Sequence, residues 1–316
     1  MISLIAVDPS FGGSYNLKKA FQAIDDVALI CTHLDKWRKR EPGTIDYVVG
    51  PKGNDVVEAS QVVRNSRLVF FVGGTAIDVA KHLDLSENEW GRLNTAAWFT
   101  DTPFSWRYDE ILNFHDDIRT KKYFVLVDSN YWGYCPEGTI PLEHAISIAT
   151  KGRRASRLTV VHSPGTVHKR PQKGSDEIEQ VIKRLHRLYD FDYKCLMKLP
   201  HEECLKEKAQ AHIVIDKIIG SYGSDALSKS ALEGMAMGAV AFCPFPPNAS
   251  VITTFSEPPM FKPRTPEELE MALSYALSGP REELERLGDE GRRWIEKYWA
   301  LENGAWLRYF TRFVDL

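Results

Sequence analysis

The sequence predicts an α/β protein of two Rossmann-like βα domains that face each other across a cleft. Three observations carry this. Short apolar runs recur along the chain, and most are continuous, as parallel strands covered on both faces require. Amphipathic segments such as NLKKAFQAI and NDVVEASQVVRN lie between several of them, giving a β-α alternation. A basic, polar stretch, KGRRASR at 151–157, splits the alternation into two series.

The first series runs ISLIAV (2–7), VALIC (27–31), YVV (47–49), LVFFV (68–72), AAWFT (96–100) and YFVLV (123–127). The second runs LTVV (158–161), YKCLMKL (193–199), HIVI (212–215), AVAFC (239–243) and VITTF (251–255). From Pro266 onward the pattern is almost wholly helical. The domains are therefore expected at 1–155 and 156–299, with a C-terminal helix in 300–316 packing back on the first. At 316 residues the chain is long for one core and sufficient for two.

Composition narrows the function classes. A formal charge of −3 argues against a dedicated nucleic-acid binder, although local basic patches can still act. The 5 cysteines are scattered with no C-x-x-C pair, which fits a reducing compartment and no zinc knot. MISLIAVDPS is too short and too soon acidic for a signal peptide. The uncharged run from Gly234 to Ser256 is broken by Pro244, Pro246 and Pro247, so it cannot cross a bilayer as one helix. A cytoplasmic protein is expected.

In open parallel sheets the ligand crevice lies at the carboxyl ends of the strands. Asp8, His33, Gly73-Gly74, Asp101, Asp128, His162 and Asp216 follow the runs, and the series together favours a cleft. Three segments carry candidate chemistry. Gly12-Gly13, between a strand and a helix, suits either close approach to an anion or an ordinary tight turn. Next, VVHSPGTVHKRPQKGSDEIEQ gathers Ser163, His168, Lys169, Arg170 and Lys173 before a helix N-terminus. It suits a diphosphate, where the dipole also favours negative charge; a solvated basic loop is the alternative.

The third segment is IGSYGSDALSKSALEGMAMG. A glycine loop containing Gly223 leads to Asp225 and, eight positions on, to Glu233. In one helix these carboxylates stand about 12 Å apart, too far for a glycosidase pair but suited to the two ends of an extended ligand. Between Lys229 and Glu257 no charge appears except Glu233. A carboxylate among Leu, Gly, Met and Ala needs a donor, and ribose hydroxyls qualify; a local cap or pair is the alternative.

The C-terminal half resembles GT-B glycosyltransferases of the GT4-like group over residues 158–300. The resemblance rests on QKGSD (172–176), D-x7-E from Asp225 to Glu233 inside ALEGMAMG, the strand HIVID, and the tail PEELEMALSYALSGPREELERLGDEGRRWIEKYW. It implies sugar transfer from a nucleotide diphosphate to an acceptor hydroxyl, with retention, no bound metal and no cofactor beyond the sugar nucleotide. It implies that Lys173 neutralises the diphosphate, that Glu233 receives the ribose hydroxyls, and that Asp225 stands near the sugar or its phosphate. Glu233 would then find its partner in the ligand, and Lys173 would have no structural duty. Two positions depart from the pattern: the first acid is Asp, and Ser228 stands where glycine is usual. The cation that usually precedes the lysine falls on His168, with Lys169 and Arg170 as rivals. DFD at 190–192 matches D-x-D in letters but reads as a turn.

The acceptor belongs to the N-terminal half. Asp101, among Trp98, Phe99, Phe104 and Trp106, is the candidate catalytic and acceptor-side carboxylate; the same aromatics also suit a core. His115, Asp128 and Trp132 are further acceptor-side candidates. Lys36, Arg38, Lys39 and Arg40 around Trp37 suit an anionic surface or plain solvation. The acceptor stays open among saccharide, lipid-linked and modified-base DNA, the last as in phage enzymes acting on hydroxymethylated bases. A catalytically inactive nucleotide- or glycan-binding subunit and a GT-B epimerase are the rival readings.

Overall fold

The computed structural model describes residues 1–7, 14–32, 46–50, 55–73, 75–99, 107–118, 120, 122–125, 140–141, 145–149, 151–165, 167–218, 227–245 and 256–312. The chain forms two compact units. The first holds β1 (Ile2–Ile5), β2 (Val27–Cys31), β3 (Tyr47–Val48), β4 (Leu68–Val72), β5 (Thr95–Phe99), β6 (Lys122–Val125) and β7 (Ile140–Pro141). The second, from Ile146 to Ala305, holds β8 (Thr159–Gly165), β9 (Asp192–Met197), β10 (Ile213–Ile215) and β11 (Val240–Phe242). The chain returns to the first unit at Trp306.

In the first unit the strand order is β3-β2-β1-β4-β5-β6-β7, and every described pairing is parallel. The continuous run in β4 has a direct cause, because successive side chains of a strand point to opposite faces. Phe71 packs on Trp90 and Phe114 on one face. Phe70 packs on Phe21 and on Phe310 of the C-terminal helix, Ala305–Phe310, on the other. Both faces are dry, so polar alternation is not needed.

In the second unit the order is β11-β10-β8-β9, again with parallel pairings. One face packs Val160, Ile213, Ile215 and Phe242 against the helices Ser175–Leu185 and Pro266–Ser278. The other packs Val161 and Val214 under the helices His201–Gln210 and Lys229–Ala236. Gly234 sets that second approach: a Cβ there would stand 3.0 Å from Val214, so the helix rides close on β10.

The strand expected at 251–255 lies outside the described residues. Among the described residues, no helix is long and apolar enough to cross a membrane. DFD at 190–192 is no free acidic site. Asp190 and Asp192 both bind Arg157, the latter at 2.7 Å.

Candidate functional site

Sequence-predicted residues converge at the carboxyl ends of β8 and β10. His162 ends the regular part of β8. Its Nδ1 donates to the Ile215 carbonyl at 3.0 Å, so Nε2 accepts from the Ser175 hydroxyl at 2.8 Å. Burial pushes the imidazole down to about 4 and keeps it neutral, although the Ile215 bond works against it. His162 is therefore a strap that joins two strands to the start of the helix Ser175–Leu185. Past a short helix, Arg170–Lys173, Gly174 takes the left-handed conformation with φ 63°. A Cβ there would stand 2.5 Å from Ile218 Cγ1, and the Ile218 amide donates to the Lys173 carbonyl at 3.2 Å. The Lys-Gly pair is thus fixed by the segment that follows β10.

Lys173 has a partner in the chain, contrary to the sequence expectation. Its ammonium pairs with Asp216, which is fully buried, and reaches Ser228 Oγ at 3.4 Å. Asp216 follows β10 directly, and its second oxygen accepts from Cys243 Sγ at 3.3 Å, just past β11. Burial raises the Asp216 carboxyl, but Lys173, Lys217 and the Ser228 hydroxyl outweigh it and hold the group well below the carboxylate range. Burial pulls the Lys173 ammonium downward against the opposing pull of Asp216. Among the described residues these contacts use two of the three N–H donors of the ammonium.

Ser228 explains one departure from the family pattern. It is the N-cap of the helix Lys229–Ala236 with φ −103°, extended backbone that any residue adopts. Its hydroxyl makes no capping bond and serves Lys173 and Asp216 instead. Because the helix begins only at Lys229, the spacing of about 12 Å does not apply between Asp225 and Glu233.

Glu233 is also not alone. It is 7% exposed, with Lys208 Nζ 2.7 Å from Oε2 and His201 Nε2 2.7 Å from Oε1. Lys229 Nζ stands 3.9 Å from Oε1. Burial raises its pKa, but Lys208, His201 and Lys229 outweigh this and hold the carboxyl well below the usual range. The sequence reading missed His201 and Lys208. A signal was present: Cys204, Lys208 and Ala211 share one face of the helix at HEECLKEKAQA, and a lysine on an apolar face implies a buried acid.

Two further candidates have partners within the chain. Arg170 is bound by Asp176 and, at 2.9 Å, by Glu179, so its guanidinium is engaged within the chain. His115 is fully buried, bonds Thr120 Oγ1 at 2.9 Å and packs edge-on against Phe71, which makes it a core histidine. Ser163 sits at the end of β8 with its Oγ 3.4 Å from Cys204 Sγ. His168 lies in the turn Val167–Lys169, and its side chain is outside the described residues. Gly12, Gly13, Asp101, Asp128, Trp132, Gly223 and Asp225 also lie outside them.

The ammonium of Lys173 and the carboxylate of Glu233, each on a helix of the second unit, suit a ligand with an anionic and a hydroxylated part. No protein-family model and no curated protein matches the sequence. Solved structures do. Sucrose-phosphate synthase from Thermosynechococcus elongatus is similar at 13% identity and TM-score 0.64, over 98% of both chains. Anabaena HepE in complex with UDP and glucose is similar at 11% identity and TM-score 0.66, over 98% of both chains. An α-glucosyltransferase in complex with UDP-glucose and DNA containing an abasic site is similar at 9% identity and TM-score 0.63, over 99% of this chain and 98% of that one. With its two parallel βα units, the chain has the GT-B fold of these glycosyltransferases.

Proposed function

We propose that this protein transfers a sugar from a nucleotide-diphosphate sugar to an acceptor hydroxyl, with retention and without a bound metal. The observation that carries the reading is the Lys173–Asp216 pair at the strand ends, joined through Ser228 to the helix of Glu233. The third donor of Lys173 serves the diphosphate, and Asp216 holds the ammonium in place beforehand. As the sugar leaves, charge builds on the diphosphate, and a fixed cation gains most there. Lys208 and His201 occupy one lone pair on each oxygen of Glu233, which leaves others for ribose hydroxyls. Asp225 serves the sugar end and Asp101 the acceptor end, on the sequence reading alone. The scattered cysteines, with no C-x-x-C pair in the sequence, support a cytoplasmic setting.

The deciding experiment is a thermal-shift screen of UDP, GDP, ADP, CDP and dTDP, followed by donor turnover with acceptor screening. One diphosphate should raise the melting temperature, and its sugar conjugate should be consumed. No shift with any of them would overturn the reading; a shift without turnover would favour a binding subunit. A second reading for the acceptor is modified-base DNA. Its support is the α-glucosyltransferase of the same fold, which was solved with DNA. A gel shift with duplex DNA at low and moderate salt separates it from a saccharide or lipid acceptor.

A further inference from the structure

The two oxygens of Glu233 are held unequally. Oε2 faces Lys208, which is 2% exposed, while the partners of Oε1, His201 and Lys229, are 31% and 24% exposed. The open side of the carboxylate is therefore the Oε1 side. His201 is the first residue of its helix, directly after Pro200, and its ring reaches Glu233 from that first turn. An ionised carboxylate only accepts, so the contact at 2.7 Å is His201 Nε2–H donating to Oε1.

Lys208 alone would fix one oxygen and leave the carboxylate to pivot about that bond. Lys229, at 3.9 Å from Oε1, stands ready to draw it aside. His201 supplies the second point of attachment, which sets the plane of the group. With one lone pair on each oxygen taken, two acceptor sites remain, one on each oxygen. They match two adjacent hydroxyls, as on the 2′ and 3′ carbons of a ribose.

We infer that His201 is a positioning residue through which Glu233 selects a ribonucleotide over its 2′-deoxy counterpart. The inference rests on the proposed donor site and adds the residue that sets its sugar selectivity. Loss of the imidazole lets the carboxylate turn, and the bond to the 2′-hydroxyl suffers most. A nucleotide without that hydroxyl has less to lose.

The test uses the full chain and the nucleoside diphosphate with the largest thermal shift, paired with its 2′-deoxy form. Calorimetric titration compares wild type, His201→Ala and His201→Gln, whose amide nitrogen donates from nearly the same place as Nε2. Wild type should prefer the ribose form about tenfold, as one charge-assisted hydrogen bond implies. In His201→Ala the preference should fall to about two- to threefold, with 2′-deoxy affinity changed less than about twofold; His201→Gln should restore most of it. Equal loss for both nucleotides would mark a merely structural residue and overturn the inference. An unchanged preference in His201→Ala would do the same, as would a wild type that binds both forms alike. In the first two cases the proposed donor site survives; in the third only its diphosphate contact at Lys173 does. A wild type that binds no nucleoside diphosphate overturns both readings together.

Discussion

Lys208 Nζ lies 2.7 Å from Glu233 Oε2, and both side chains are almost sealed from solvent. Removing one partner of such a pair strands the other charge, at a cost of about 3–5 kcal/mol. Glu233→Gln should therefore lower stability as well as donor binding. The resemblance implied a carboxylate partnered by the ligand, with a local cap or pair as the alternative. Urea unfolding of Glu233→Gln against wild type checks this: a loss of about 3 kcal/mol or more is expected. Combining Lys208→Met with Glu233→Leu should recover much of the stability and leave nucleotide binding lost, because no acceptor for the ribose remains. Unaltered stability in the single variant would contradict the buried pair.

Lys173→Ala should act on two measurements at once. It removes the proposed diphosphate contact, which should weaken nucleoside-diphosphate binding by about 1.5–3 kcal/mol. It also leaves Asp216, fully buried, without its nearest cation. Lys217 offsets part of that, so a stability loss of about 1–3 kcal/mol is expected. Lys173→Met with Asp216→Asn separates the two effects, since stability should return while affinity does not. Recovery of affinity in the double variant would move the phosphate contact elsewhere, with Lys169 the next cation to test.

What was legible in the sequence follows from the range of each interaction. β4 could be read because Phe70 and Phe71 face two dry surfaces, and a run of apolar residues records that locally. Lys173-Gly174 could be read because a left-handed turn before a helix leaves a glycine in the chain. The partner of Lys173 could not, since Asp216 lies on another strand and reads as one more polar strand end. Glu233 could be singled out by its apolar neighbours, but Lys208 is masked in HEECLKEKAQ by charges on every side. The partners of Arg170 were masked for the same reason: Asp176 and Glu179 stand within the next turns of the chain, yet only the folded helix turns them toward it.

Gly174 should tolerate no side chain. Its φ of 63° costs an alanine about 1 kcal/mol, and the added Cβ would stand 2.5 Å from Ile218. Relieving that overlap should cost about 1–3 kcal/mol more. Gly174→Ala is expected to lose about 2–4 kcal/mol in urea unfolding and to bind diphosphate poorly, because Lys173 is displaced with the turn. Ile218→Ala in the same chain should return part of both. A neutral Gly174→Ala would show that this turn does not fix the lysine.

Turnover should survive EDTA. In the proposed site Lys173 balances the charge of the leaving diphosphate, and the D-x-D letters at 190–192 are bound to Arg157. Rates measured after chelation, and again with added Mg²⁺ or Mn²⁺, should agree within about twofold, well under the 1.4 kcal/mol that a tenfold change represents. A strict requirement for either ion would refute the proposed mode of donor binding.

Acid should destabilise the protein well before its carboxylates protonate, and buried histidines are the reason. Burial pushes His162 and His212 to about 4 and His115 to about 3, from an ordinary value of 6.5. Each is neutral in the folded chain and accepts a proton readily only when unfolded. Their stabilising effect is complete above pH 6.5 and is lost as pH falls from there towards 4, because the unfolded chain binds more protons in that window. One such histidine contributes up to about 1.4 kcal/mol per pH unit, so three give a limit of about 4 kcal/mol per unit. The paired carboxylates of Asp216 and Glu233 act in the same direction but at lower pH, since both are held below the usual range. Urea unfolding at pH 7, 6, 5 and 4.5 should thus show a steep fall between 6 and 4.5. His162→Asn retains a donor for the Ile215 carbonyl and cannot titrate. It should be less stable at pH 7 through loss of the Ser175 bond, and its stability should fall less steeply by about 1.4 kcal/mol per pH unit. A fall of the same slope in that variant would mean that His162 is already protonated in the folded chain, and the strap described for it would be wrong.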